Sequence, residues 1–436
     1  MQHETSAVPR PDGPGPAPAL RRGRPGAYRL GMTPIGRGAE TRARGALMGA
    51  LAAGGPMRVA MVLPGLGRVQ RGAEASFLEL ARRLARRDDV APPVLFGTGT
   101  AVPDGLPIRV VNCRPRERFE GWPRLPAFRT EYEYEEFTFA AALAASRLYR
   151  PADFDVVLNC SYPHINWFLR WAGRGGRGPA LVFVTENGDW MCRAGNREYR
   201  YFGCDGLVCI NPEFFDRNKH KYRSALIPNG VDPDLFRPPA PGEPAGGPEL
   251  GDLGGRKLVV MAAALIDSKL VAEGLRAASR LPEVFVAVAG DGPLRGLIAE
   301  EARRSLPGRH ALLGSIDRGL MPGLFRRADA FLHMSRDEPG ALVYVEAAAT
   351  GLPMAVDDNA VTRWQLGDAA AYGDAREEAS MADALRRALG PEGPSLGAGA
   401  RRRVERDWSW EVIAGRYKDF FDEVVAARRA AAAGAR

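Results

Sequence analysis

The sequence predicts an α/β chain built as two facing units, each a Rossmann-like, doubly wound parallel sheet. Three observations lead there. With 436 residues, 45% of them hydrophobic, the chain is too long for one ordinary domain and can bury two cores of normal size. From Met57 onward, short apolar runs of strand length alternate with segments of helical period, the pattern of successive βαβ crossovers. The alternation stops once, at the Pro- and Gly-rich stretch RPPAPGEPAGGPELGDLGG (237–255), and then resumes.

The elements follow in order. Residues 1–56 are rich in Gly, Pro, Ala and Arg without sustained periodicity, which predicts a disordered basic tail. Eight arginines there face Glu4, Asp12 and Glu40, so the tail carries +5 of the formal +8 and leaves +3 for the rest. Basic character confined to a tail, with no dense Lys/Arg stripe downstream, argues against nucleic acid as a partner. RARGALMGALAAGGP faintly resembles a signal peptide, but its apolar part is short and broken by glycines. MRVAMVLPGLG opens a strong strand and makes Met57 the expected biological start. No apolar run approaches the ~18 residues a membrane span needs.

Within a first unit, 57–228, strands are read at RVAMVLP, PPVLFG, IRVVNC, DVVLNC, ALVFVTE, GLVCI and ALIP, with helices such as ASFLELARRLAR between them. A linker covers 229–255. A second unit, 256–405, repeats the architecture with KLVVMAA, VFVAVAG, HALLG, AFLHM and PMAVD. Residues 406–436 read as an amphipathic helix that must dock to hide Trp410, Ile413, Tyr417 and Phe420. Five cysteines form no CxxC, and no histidine stands at metal-ligand spacing. A reduced, cytoplasmic interior is therefore expected, with no disulfide frame and no zinc site.

Two such units place a cleft between the carboxyl ends of their strands, where α/β sheets bind ligands. Gly72 lies after the first strand, just before a helix, where backbone can approach an anion closely. The dinucleotide fingerprint is absent: GLGRVQ puts Gln70 where a third glycine belongs, and GDGPLRG is one residue too long. Lys269 follows the first strand of the second unit. Pro339, Gly340 and Ala341 open a helix whose free amides suit a diphosphate, and Glu338 stands beside that loop. Farther along the same helix, Glu346 falls about 40–50° from the centre of the Leu342, Val345 and Ala349 stripe, which aims it at the core. Its neighbours three and four positions away include no cation. A buried acid needs donors, and a ribose diol supplies two.

Glu338, seven residues and Glu346 in EPGALVYVEAAATGLP, together with ALIPNGVDPDLFRP, VAVAGDGPL, LLGSIDRGLMPGLFRRADAFLHMS and WSWEVIAGRY, resemble glycosyltransferase family 4, retaining sugar-nucleotide enzymes of GT-B fold. The resemblance runs from about Met57 to Val425. It implies that Glu346 binds the donor ribose and Glu338 contacts the transferring sugar. Amides of Gly340, Ala341 and Leu342 would hold the diphosphate and Lys269 would neutralise it. Gly72 would approach it from the first unit, Ile316 would border the base, and the last helix would cross back onto the first unit.

Two positions depart from the family pattern. Ala264 stands where a second diphosphate-binding arginine is usual, and VFVTENGDW offers Glu186 and Asn187 where a histidine is usual. Glu186 or Asn187 is the candidate to orient sugar or acceptor. The implied reaction retains anomeric configuration and uses no metal; the leaving phosphate takes the acceptor proton. The implied partners are a nucleotide-sugar donor and a glycan, lipid or small-molecule acceptor, bordered by RERFEGWPRLPAFRTEYEYEEFTFA (116–140). The basic tail is compatible with peripheral contact at a membrane. Two alternatives stay open: a sugar-nucleotide epimerase of the same architecture, and a non-catalytic scaffold that binds sugar nucleotide.

Overall fold

The computed structural model describes residues 55–434 apart from residues 70, 103–104, 127, 175–177, 190, 192–196, 245, 336–339 and 341. The tail expected over 1–56 thus lies, up to residue 54, outside the described residues.

Each apolar run read from the sequence forms a strand. In the first half these are β1 (Val59–Val62), β2 (Val94–Gly97), β3 (Ile108–Val110), β4 (Val156–Cys160), β5 (Ala180–Val184), β6 (Gly206–Cys209) and β7 (Ser224–Leu226). They make one sheet in the order β3-β2-β1-β4-β5-β6-β7, parallel throughout. The second half contributes β8 (Lys257–Ala262), β9 (Val284–Ala289), β10 (His310–Gly314), β11 (Ala330–His333) and β12 (Met354–Asp357). A three-residue edge strand, β13 (Ala371–Gly373), joins them in the order β10-β9-β8-β11-β12-β13, again parallel. The reading missed β13 because AYG, between Ala370 and Asp374, is too short to show a period.

Helices cover both faces of each sheet, so the strands are buried on both sides and read as unbroken apolar runs rather than alternating ones. In β8, Leu258 and Val260 enter one core while Val259 and Met261 enter the core on the opposite face. In both sheets the chain winds outward from a central strand and then returns to that strand's other side. The reversals fall between β1 and β4 and between β8 and β11. At such points crossovers leave on opposite faces and open a crevice at the strands' carboxyl ends.

The helix Trp410–Gly434 belongs to the first sheet's core. Trp410, Ile413, Tyr417 and Phe420, expected to need cover, pack with Val182, Leu207 and Phe77. Gly206 makes room for it: a Cβ there would lie 2.6 Å from Val424 Cγ2 and 2.9 Å from Phe420 Cε1. Arg83, buried in the first long helix (Gly72–Leu84), donates to Asp232 at 2.5 Å and Glu411 at 2.6 Å. That one side chain ties the first helix, the NGVDP segment and the start of the last helix together.

Candidate functional site

A cleft of about 550 Å³ opens at the reversal point of the first sheet. The loop after β1 supplies Leu63, Pro64 and Gly65, and the next helix supplies Gly72 and Glu74 with Arg71 at its cap. The helix Glu131–Ser146 contributes Tyr132, Glu135 and Glu136. Ser161 and Tyr162 come after β4, and Glu186 and Asn187 after β5. The second half adds Gly340 and Leu342.

Five of the residues singled out from sequence therefore meet: Gly72, Glu186, Asn187, Gly340 and Leu342. Gly72 is exposed, and a Cβ there would meet nothing within 4 Å, so no protein contact demands a glycine. Gly340 has φ +133°, in the region that favours glycine, and a Cβ there would lie 3.9 Å from Ile210 O and 3.8 Å from Gln365 Nε2. Leu342 opens the helix Leu342–Ala349. Glu338 and Ala341 lie outside the described residues.

Glu186 is half-buried and accepts from Asn229 Nδ2 at 3.0 Å, while Asn187 Nδ2 donates to Ser161 Oγ at 2.5 Å. Burial pushes the Glu186 carboxyl up to about 7; the Asn229 bond works against that, and nearby Glu74 adds to it. A carboxyl balanced near neutrality in a cleft is suited to proton traffic or to switching between donor and acceptor.

The remaining candidates sit at the carboxyl ends of the second sheet, outside the lining of this cleft. Lys269 ends the short turn Asp267–Lys269 after β8 and is half-buried. Its loop is held by glycines. Gly292 comes so close that a Cβ would lie 2.6 Å from Leu265 O, and Gly290 presses likewise on Ala263 O. GDGPL is thus a buttress for the lysine loop rather than an anion cradle, with Leu265 N donating to Asp291 O at 3.0 Å. Ser335 Oγ donates to Ser268 O at 3.5 Å, joining the loops after β8 and β11. Ala264 is exposed.

Glu346 is buried, as its place on the wheel implies, and its partner comes from far away in sequence. Arg318 Nη2 donates to Glu346 Oε1 at 2.7 Å. Burial raises the carboxyl above its ordinary value and Arg318 draws it down. Ile316, two residues before Arg318, is half-buried against the same core. Sequence reasoning missed Arg71 and Glu74; Glu135 and Glu136 lie in the 116–140 stretch expected to border the acceptor but were not singled out within it. Adjacent acids at 135 and 136 diverge by about 100° on a helix, which is the available sign that they do not share one solvent face.

Facing parallel sheets with a cleft at the strand ends define a GT-B chain. A model described as Glycosyltransferase Family 4 matches residues 70–235, and one described as Glycosyl transferases group 1 matches 248–394. Together they take in most of the sequence, and the chain belongs to the family 4 glycosyltransferases. It is 33% identical over 195 residues to the putative glycosyltransferase EpsF of Bacillus subtilis, covering 43% of this chain and 47% of that protein. It is 30% identical over 141 residues to glycogen synthase of Mycobacterium tuberculosis, covering 30% and 33%. The matches span about half or less of these relatives' lengths. Among solved structures, sucrose-phosphate synthase from Thermosynechococcus elongatus superposes with TM-score 0.63 at 18% identity, over 85% of this chain and 100% of that one. Anabaena HepE in complex with UDP and glucose superposes with TM-score 0.63 at 14% identity, over 84% and 100%. At such identities the likeness speaks for the fold. Among the described residues no helix is long and apolar enough to cross a membrane.

Proposed function

We propose that the protein transfers a glycosyl group from a nucleotide-diphosphate sugar to an acceptor hydroxyl, with retention of anomeric configuration. The observation that carries this reading is the convergence of Gly72, Gly340, Leu342 and Glu186 on one cleft, at the point where two family 4 units face each other. The solved HepE structure contains UDP and glucose, which supports a UDP-sugar as the first donor to try.

Each residue then has a task. Glu346 accepts from the ribose hydroxyls, with Arg318 beside it, and Ile316 borders the base. Lys269 and the amides of Gly340, Ala341 and Leu342 hold the diphosphate, Gly72 meets it from the opposite wall, and Glu338 contacts the sugar. As the bond between sugar and phosphate breaks, negative charge grows on the leaving diphosphate, which Lys269 and the amides would stabilise. The leaving phosphate takes the acceptor proton while the new glycosidic bond forms on the same face. The charge is met without a metal, and the reaction belongs in the cytoplasm with its nucleotide-sugar supply.

Ala264 favours a second reading. With the exposed site of the usual arginine empty of charge, the chain would bind sugar nucleotide as a scaffold. Incubation with labelled nucleotide sugars separates the readings: nucleoside diphosphate release with a glycosylated acceptor is transfer, interconversion of the sugar alone is epimerisation, and retention of intact donor is scaffolding.

A further inference from the structure

The cleft wall formed by the first sheet is acidic. Glu74, Glu135, Glu136 and Glu186 all line it, and the first three are at most 4% exposed. Two have cations: Glu135 pairs with Arg68, and Arg71 Nη1 lies 3.8 Å from Glu74. Glu136 and Glu186 differ. Glu136 Oε1 accepts from the Tyr162 amide at 3.2 Å, while its Oε2 is buried with no hydrogen-bond partner. Apart from burial and single hydrogen bonds, what acts on these two carboxyls among the described residues is other carboxylates. Both are held above the ordinary range, and together with Glu74 they act on Cys160 at the end of β4.

An unpartnered buried carboxyl oxygen is costly. A donor that also carries positive charge would let these acids ionise, which burial otherwise opposes. A divalent cation does not fit, since among the described residues no three acidic, His or Cys side chains converge to hold one. A neutral polyol supplies hydrogen bonds but no counter-charge. An ammonium supplies three donors and the charge together; Tyr132, which lines the same cleft, already lies beneath the Arg71 and Arg116 guanidiniums, at 5.5 and 4.6 Å from its ring centre.

Resting on the glycosyltransferase reading above, we propose that the acceptor is an amine-bearing polyol, such as an amino sugar, whose ammonium is held by Glu136 in the cleft that Glu186 also lines. Its glycosylated hydroxyl then faces the wall that carries Gly340.

Glucosamine, glucose and N-acetylglucosamine share a ring and differ in charge at one position. Calorimetry on the full chain near neutral pH should find glucosamine bound about tenfold or more tightly than either neutral sugar. Glu136→Gln, which still accepts from the Tyr162 amide, should bring the three within about threefold of one another, with its melting temperature checking the fold. The wild-type comparison stands even if that variant fails to fold. Equal or weaker binding of glucosamine, no binding of any of the three at their solubility limits, or a preference that survives Glu136→Gln overturns the proposal. If that happens while labelled nucleotide sugar is still turned over, the acceptor assignment alone falls. If the nucleotide sugar is neither bound nor consumed, the glycosyltransferase reading falls with it.

Discussion

Glu346 and Glu186 show how burial turns ordinary carboxylates into candidates for chemistry. Glu346 is held by Arg318 across 28 positions of sequence, a pairing no local rule anticipates, whereas its inward aim was legible from the wheel. Ribose is remote from the bond that breaks, so its contact is alike in ground and transition states. Glu346→Gln should therefore raise KM more than it lowers kcat and weaken donor binding by roughly ten- to a hundredfold. Unchanged donor affinity by calorimetry would make Glu346 a structural partner of Arg318 only. Glu186 gives a prediction about stability. Its carboxyl is held near 7 in the fold against about 4.3 in an unfolded chain, so the folded state binds the proton more tightly. Stability then falls as pH rises through that window and levels off above it. Glu186→Gln removes the penalty. It should stabilise the ligand-free protein at about pH 8, by up to about 3 kcal/mol, and change little at about pH 4. Equal shifts in melting temperature at both pH values would contradict the assignment.

At the scale of elements, strands and helices were legible because parallel βαβ folding writes long apolar runs and helical periods into the sequence. Twelve strands were read that way, and β13 escaped because its pairing to β12, through Ala355 and Ala371, is tertiary. The last helix was legible by its aromatic stripe, but its seat was not, since Gly206 shows its purpose only when Val424 and Phe420 lie over it. Gly206→Val should cost about 1–3 kcal/mol by overpacking and loosen that helix from the first sheet. Gly415, on the same helix, meets nothing within 4 Å, so Gly415→Ala should stabilise by about 0.5–1 kcal/mol. Urea unfolding of the two variants checks both signs, and a neutral Gly206→Val would mean the helix is not seated as described. The acidic wall was illegible for a related reason. Glu135 and Glu136 stand in a stretch expected only as a whole to border the acceptor, and the fold alone shows which of its side chains line the cleft with Ser161 and Glu186.

At the scale of the whole molecule, the two reversal points account for the location of the site. The first sheet supplies the acidic wall and the second supplies the glycine-bearing helix start, so neither half holds the cleft alone. In the proposed function, Lys269 is where this arrangement would meet the chemistry. The leaving diphosphate gains charge only as its bond to the sugar stretches, and Ala264 offers no second cation in that loop. Steady-state release of nucleoside diphosphate from a labelled nucleotide sugar, in wild type and in Lys269→Ala of native circular dichroism, is the most direct test. The account predicts turnover in wild type and a kcat about a hundred- to a thousandfold lower in the variant, with KM changing less. A variant kcat within a few fold of wild type would contradict the role of Lys269, and wild type that binds donor but never releases diphosphate would contradict transfer itself.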